Sequence, residues 1–72
     1  MMITNKVKNF RSLLGLTQAE LAMLLKVTPQ TVSAKENGKR QFSDEEKITI
    51  VKLVNQEYPD IRISDIFFKQ KV

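Results

Sequence analysis

Apolar residues return along this chain at helical spacing, and the residues between them mark where helices start and stop. Ile3, Val7, Phe10 and Leu14 step by four, three and four, which places them on one helical face. They predict a first helix over roughly residues 4–14, stopped by Gly15. Thr17 can cap a second helix running from Gln18 to Leu25 or Lys26. Leu21, Leu24 and Leu25 fall on its inward stripe, and Met23 points almost the opposite way. Thr28-Pro29 opens a third helix, because proline is preorganised for the first helical position and its missing donor costs nothing there. That helix should reach about Asn37, where Gly38 closes it.

Ser43-Asp44-Glu45-Glu46 has the spacing of a capping box, and its acidic residues suit the positive end of a helix dipole. The fourth helix should continue to Glu57 or Tyr58, before Pro59. Ser64-Asp65 can open a short fifth helix holding Ile66, Phe67 and Phe68. The nearest thing to strand alternation is Ile61-Arg62-Ile63, within a connector. The expected fold is all-α: five short helices in one compact domain spanning residues 1–72.

Composition narrows the function. With 72 residues there is room for one small core, and a 42% apolar share is enough to build it. The absence of cysteine excludes disulfides and cysteine-based zinc or iron–sulfur sites, and the absence of histidine removes the commonest general base and metal ligand. No nucleophile–base pair or carboxylate cluster emerges, so no catalytic residue, metal or cofactor is expected. The longest apolar run, Leu21 to Leu25, is far short of a membrane span. Met1 to Phe10 lacks a signal peptide's apolar segment, which makes a cytoplasmic location the expectation.

The charge is uneven. Of a net +4, residues 1–42 hold seven basic side chains against Glu20 and Glu36, while residues 43–72 hold five basic against six acidic. A basic front suits a polyanion such as nucleic acid; a merely solvated basic surface is the plainer alternative.

Helices two and three carry the sharpest signal. Thr17-Gln18-Ala19-Glu20-Leu21-Ala22 is followed, after a tight turn at Lys26-Val27, by Thr28-Pro29-Gln30-Thr31-Val32-Ser33. Ala22 falls where the two helices must approach closely, and Leu21, Val27 and Val32 can fill the space between them. This is the layout of a helix-turn-helix, whose second helix can enter the DNA major groove.

The same text resembles the lambda-repressor/Cro-like (XRE) family of helix-turn-helix regulators, many of them from temperate phages. The matching segments are Leu16 to Ala22, Val27 to Ser33, Glu36-Asn37-Gly38-Lys39-Arg40 and the closing Ile63 to Phe67. The resemblance implies a lambda-repressor-like fold and binding to double-stranded operator DNA. It places Gln18 at a phosphate-contacting position, as the free amides of a helix N-terminus would favour; a simple first-turn polar role is the alternative. Asn37, Lys39 and Arg40 match a second backbone-contacting segment, with a solvated loop as the alternative for the two cations and helix termination for Asn37. Gln30, Thr31 and Ala34, with Pro29 and Ser33 beside them, lie where relatives read base edges; glutamine can bind adenine bidentately, and methyl groups can touch thymine. Thr31 could equally be a first-turn hydroxyl and Ala34 a neutral helix former. Arg11 and Glu36 occupy positions that pair in phage repressors, chiefly a structural salt bridge between helices one and three, with a phosphate contact as the alternative for Arg11. Lys26 and Lys35 are expected to be surface charges.

Two departures stand out. Pro29 replaces a polar residue that often begins the recognition helix, and Lys35 stands where relatives usually place tryptophan or another apolar residue. Together with an exposed Met23, they suit a second reading, in which Met23, Lys26, Pro29 and Gln30 form a patch for a partner repressor and the protein is an anti-repressor. Helix four could supply a homodimer surface, since Ile48, Ile50, Val51, Leu53, Val54 and Tyr58 cover more of it than one core face needs; cover by its neighbours and helix five is the alternative.

Overall fold

A computed structural model describes residues 5–68. Five helices follow one another: α1 Val7–Leu13, α2 Gln18–Leu25, α3 Pro29–Glu36, α4 Asp44–Asn55 and α5 Ile63–Ile66. Among the described residues the only extended pairing is an isolated antiparallel bridge between Asn5 and Phe67. The all-α expectation therefore holds.

Local chemistry explains the helix starts. The Thr17 hydroxyl accepts from the Glu20 amide at 3.0 Å while the Glu20 carboxylate accepts from the Thr17 amide at 2.8 Å. Ser43 and Glu46 repeat the arrangement at α4, at 3.1 and 2.9 Å. Each box satisfies amide groups that the helix itself leaves free. Thr28 caps α3 by accepting from the Thr31 amide at 3.2 Å, and Pro29 occupies its first turn.

The core forms where the helices converge. Val7 of α1, Leu21 and Ala22 of α2, Val32 of α3, Ile50 and Val54 of α4 and Ile66 of α5 are buried, together with Phe42 from the α3–α4 loop. Phe10, Leu14, Leu25 and Val27 pack against them half-buried. Ile3, expected on the first helical stripe, lies outside the described residues.

Several boundaries differ from the expectation. The first helix starts at Val7 rather than near residue 4, because Asn5 pairs with Phe67 and the Lys6 amide donates to the Ile66 carbonyl at 2.8 Å. The Asn5 carboxamide oxygen then accepts from the Val7 amide at 3.1 Å, which satisfies the first free amide of the shortened helix. The fifth helix starts at Ile63 and ends at Ile66, so Phe67 and Phe68 lie beyond it; Phe67 is extended, with φ −119°. The Asp65 carboxylate sets that start by accepting from the Arg62 amide at 2.8 Å. The fourth helix ends at Asn55, whose carboxamide donates to the Tyr58 and Ile61 carbonyls at 3.0 and 2.8 Å and folds the following turn back.

Leu24 corrects the α2 stripe. It is half-exposed rather than inward, and Leu21 and Ala22 are the buried residues of this helix. An eight-residue helix wedged against α3 buries a narrow stripe, and Leu24 lies at its edge.

Candidate DNA-binding surface

The α2–α3 unit is built around a single-residue reversal. Lys26 adopts φ +61° and ψ 41°, the left-handed region that a side chain enters only at an energetic penalty. The Val27 amide donates to the Ala22 carbonyl at 2.9 Å, which closes the turn over the small, buried Ala22. Leu21, 2% exposed, and Val32, fully buried, fill the angle between the helices, with Val27 packed alongside.

Glu36 fixes the far end of α3. Its carboxylate accepts from Arg11 Nε at 2.7 Å and from Gln18 Nε2 at 3.1 Å. Arg11 Nη1 also donates to the Leu16 carbonyl at 2.9 Å. One buried acid thus joins α1, the start of α2 and the end of α3. The Gln18 side chain, which the resemblance puts at a phosphate-contacting position, is committed to this network through one of its two amide hydrogens.

Gln30, Ser33, Ala34 and Asn37 recur at intervals of three and four, so they share one face of α3. Gln30 and Asn37 are exposed on it, and Ser33 and Ala34 are half-exposed. The Asn37 side-chain Nδ2 lies 3.5 Å from the Ser33 hydroxyl. Pro29 is exposed at the helix start; Thr31 is half-buried, and its hydroxyl shares a hydrogen bond with that of Thr28 at 2.9 Å. Val32, Lys35 and Glu36 occupy the opposite, buried side.

The loop after α3 is tightly wound. Gly38 takes φ +80°, a conformation suited to glycine, and the Lys39 and Arg40 amides both reach the Ala34 carbonyl, at 2.9 and 3.4 Å. The Lys39 and Arg40 side chains are exposed, and neither forms an ion pair among the described residues. Lys26 is exposed in the same way, and Met23 is 79% exposed on α2.

Lys35 is not a surface charge. It is 8% exposed, and its ammonium donates to Glu46 Oε1 at 2.6 Å and stands 5.8 Å from the centre of the Phe42 ring. Its apolar stem is buried while the charge finds a carboxylate. Burial pushes the Glu46 carboxyl upward, but the Lys35 hydrogen bond, the Ser43 amide and the attraction of the Lys35 charge outweigh it and hold the group below its ordinary value.

Asn5 and Phe42 carry no functional signal in the sequence pattern, yet both brace the site. Asn5, 7% exposed, donates to the Lys35 carbonyl at 3.0 Å. Phe42, 5% exposed, packs edge-to-face on Phe67 with ring centres 5.5 Å apart. The one hint for Phe42 is its place, an aromatic residue immediately before a helix cap; Asn5 has none, since its partners are remote in sequence.

A two-helix unit with a polar outward stripe and exposed cations beside it has the layout of a DNA-binding helix-turn-helix. Residues 7–56 match the model of the helix-turn-helix family HTH_3, and the chain belongs to that family. No curated protein matches the chain. No helix among the described residues is long and apolar enough to cross a membrane.

Proposed function

We propose that this protein is a Cro-like transcriptional regulator of a phage or mobile-element switch, binding operator DNA with α3 in the major groove. The observation that carries this reading is the exposed stripe of Gln30, Ser33 and Asn37 on α3, followed by the unpaired cations Lys39 and Arg40 on a loop held by backbone hydrogen bonds. Gln30 reads a base edge with Ala34, Pro29 and Ser33 beside it, while Gln18, Asn37, Lys39 and Arg40 hold the phosphates. Two copies related by a two-fold axis would double the few phosphate contacts one small domain offers. α4 contributes little to such a pairing, since Ile50 and Val54 are buried, Val51 and Leu53 half-buried, and only Ile48 and Tyr58 exposed. The phage-switch context rests on the resemblance described above.

The test is a titration of the purified protein against duplexes from the DNA flanking its own gene and against a scrambled duplex, over a salt series. Preference for one duplex, with affinity falling as salt rises, supports the reading. Absence of DNA binding overturns it.

A second reading is favoured by the exposure of Met23 at 79% and of its neighbour Leu24 at 50%. In it, Met23, Lys26, Pro29 and Gln30 engage a partner repressor, and the protein acts as an anti-repressor. Loss of a repressor–DNA complex on adding this protein, with no direct DNA binding, would select it.

A further inference from the structure

The geometry points to Lys35 as a positioning residue for DNA binding: clamped between Glu46 and Phe42, it holds the Lys39–Arg40 loop in place without itself touching DNA. This inference rests on the proposed role of that loop in contacting phosphates.

Lys35 stands immediately before Glu36 on the buried side of α3, opposite the stripe that carries Gln30 and Asn37. Its ammonium, held by Glu46 at 2.6 Å and placed over Phe42, is directed into the molecule. The same Glu46 oxygen accepts from the Ser43 amide at 2.9 Å, so one atom ties the last turn of α3 to the first turn of α4. Asn5 holds the Lys35 carbonyl at 3.0 Å, and the Gly38 amide donates to that carbonyl at 3.2 Å. The segment from Asn37 to Gln41 is therefore pinned at its start by Lys35 and Glu36. Its end is pinned by buried Phe42, the ring beneath the Lys35 ammonium. Every exposed cation of the loop lies between these two anchors. A loop ordered before binding loses less entropy when it meets a phosphate, and the clamp adds to the order that the backbone hydrogen bonds give this loop.

This assigns Lys35 a behaviour unlike that of a phosphate-binding lysine. Removing a cation that touches DNA lowers the salt dependence of binding by about 0.9 per phosphate. Removing the clamp lowers affinity and leaves the slope alone. Glu46 gives the sharper contrast, because loss of an acidic group ordinarily strengthens binding to DNA, whereas loss of the clamp weakens it.

The experiment uses the full chain and a fluorescent duplex of random sequence, titrated at several salt concentrations. Lys35→Met keeps an unbranched apolar stem of similar length, and Glu46→Gln keeps a side chain able to complete the capping box. Both are expected to fold, as circular dichroism will register, and to bind about three- to ten-fold more weakly with an unchanged salt slope. In the free proteins, hydrogen exchange at the Lys39 and Arg40 amides should accelerate relative to amides in α1 and α2. A reduced slope in Lys35→Met, tighter binding by Glu46→Gln, or unaltered exchange at Lys39 and Arg40 overturns the inference. Lys39→Ala/Arg40→Ala provides the separate control: an unchanged slope there removes the loop from the phosphates and fails the functional reading, independently of what exchange says about the clamp.

Discussion

Gln18 Nε2 donates to Glu36 Oε1 at 3.1 Å, so the first residue of α2 is tied to the last residue of α3. The amide has two hydrogens, and Glu36 uses one. The other remains available to a phosphate while the first fixes the side chain's direction. The hydrogen bond thus gives a polar residue at a helix start a structural role that is compatible with the phosphate contact proposed for it.

Gln18→Ala should consequently affect both. Unfolding by urea is expected to become easier by about 1.5 kcal/mol, the low end for a hydrogen bond to a charged group. DNA affinity should fall by a similar factor on every duplex. The salt slope should stay constant, because a neutral side chain releases no counterions. A sequence-dependent loss would show that Gln18 reads bases.

The Arg11–Glu36 pair allows a double-mutant test. The Glu36 side chain is only 1% exposed and that of Arg11 13%, so Arg11→Met should strand a buried carboxylate and destabilise the domain by about 3–5 kcal/mol. Arg11→Met combined with Glu36→Met should recover much of that loss, since an apolar pair of similar volume removes the unpaired charge. Chemical denaturation of the two variants and the combination measures the coupling. Equal destabilisation by the single and double substitutions would contradict an ion pair that acts mainly to orient the helices.

Glu46 should make stability depend on acidity. Its carboxyl is held below the ordinary value of 4.5 in the folded state, so the folded protein releases this proton more readily than the unfolded chain. The stabilisation is complete above about pH 4.5 and is lost as pH falls through the lowered folded-state value. Thermal unfolding of the wild type and Glu46→Gln between neutral pH and about pH 3 should show the gap between them closing on the acid side. A gap independent of pH would assign the effect to packing rather than charge.

Within the proposed DNA complex, Lys39 and Arg40 should contribute affinity and Gln30 specificity. Lys39→Ala/Arg40→Ala should weaken binding to all duplexes and flatten the salt slope by about 0.9 for each phosphate no longer neutralised. Gln30→Ala should relax the preference at one base pair, at about 1–3 kcal/mol, and leave the slope unchanged. A uniform loss from both replacements would deny Gln30 a reading role.

The helix-turn-helix is legible in the amino-acid sequence because its determinants are local. A threonine or serine hydroxyl caps amides two or three residues away, proline and glycine restrict or free their own backbone, and apolar spacing names a face. Thr17, Thr28 and Ser43 accordingly mark the helix starts, and Gly38 the turn after α3. Met23 is turned outward for the same reason. Tertiary structure alone decided that Leu24 stays half-exposed, that Asn5 leaves the first helix to pair with Phe67, and that Lys35 is buried. The Lys35 ammonium finds Glu46 eleven residues ahead and its carbonyl finds Asn5 thirty residues behind. A charge can be buried only where a counter-charge and hydrogen-bond partners await it, and here the approach of the end of α3 to the start of α4 and to the chain before α1 brings those partners together.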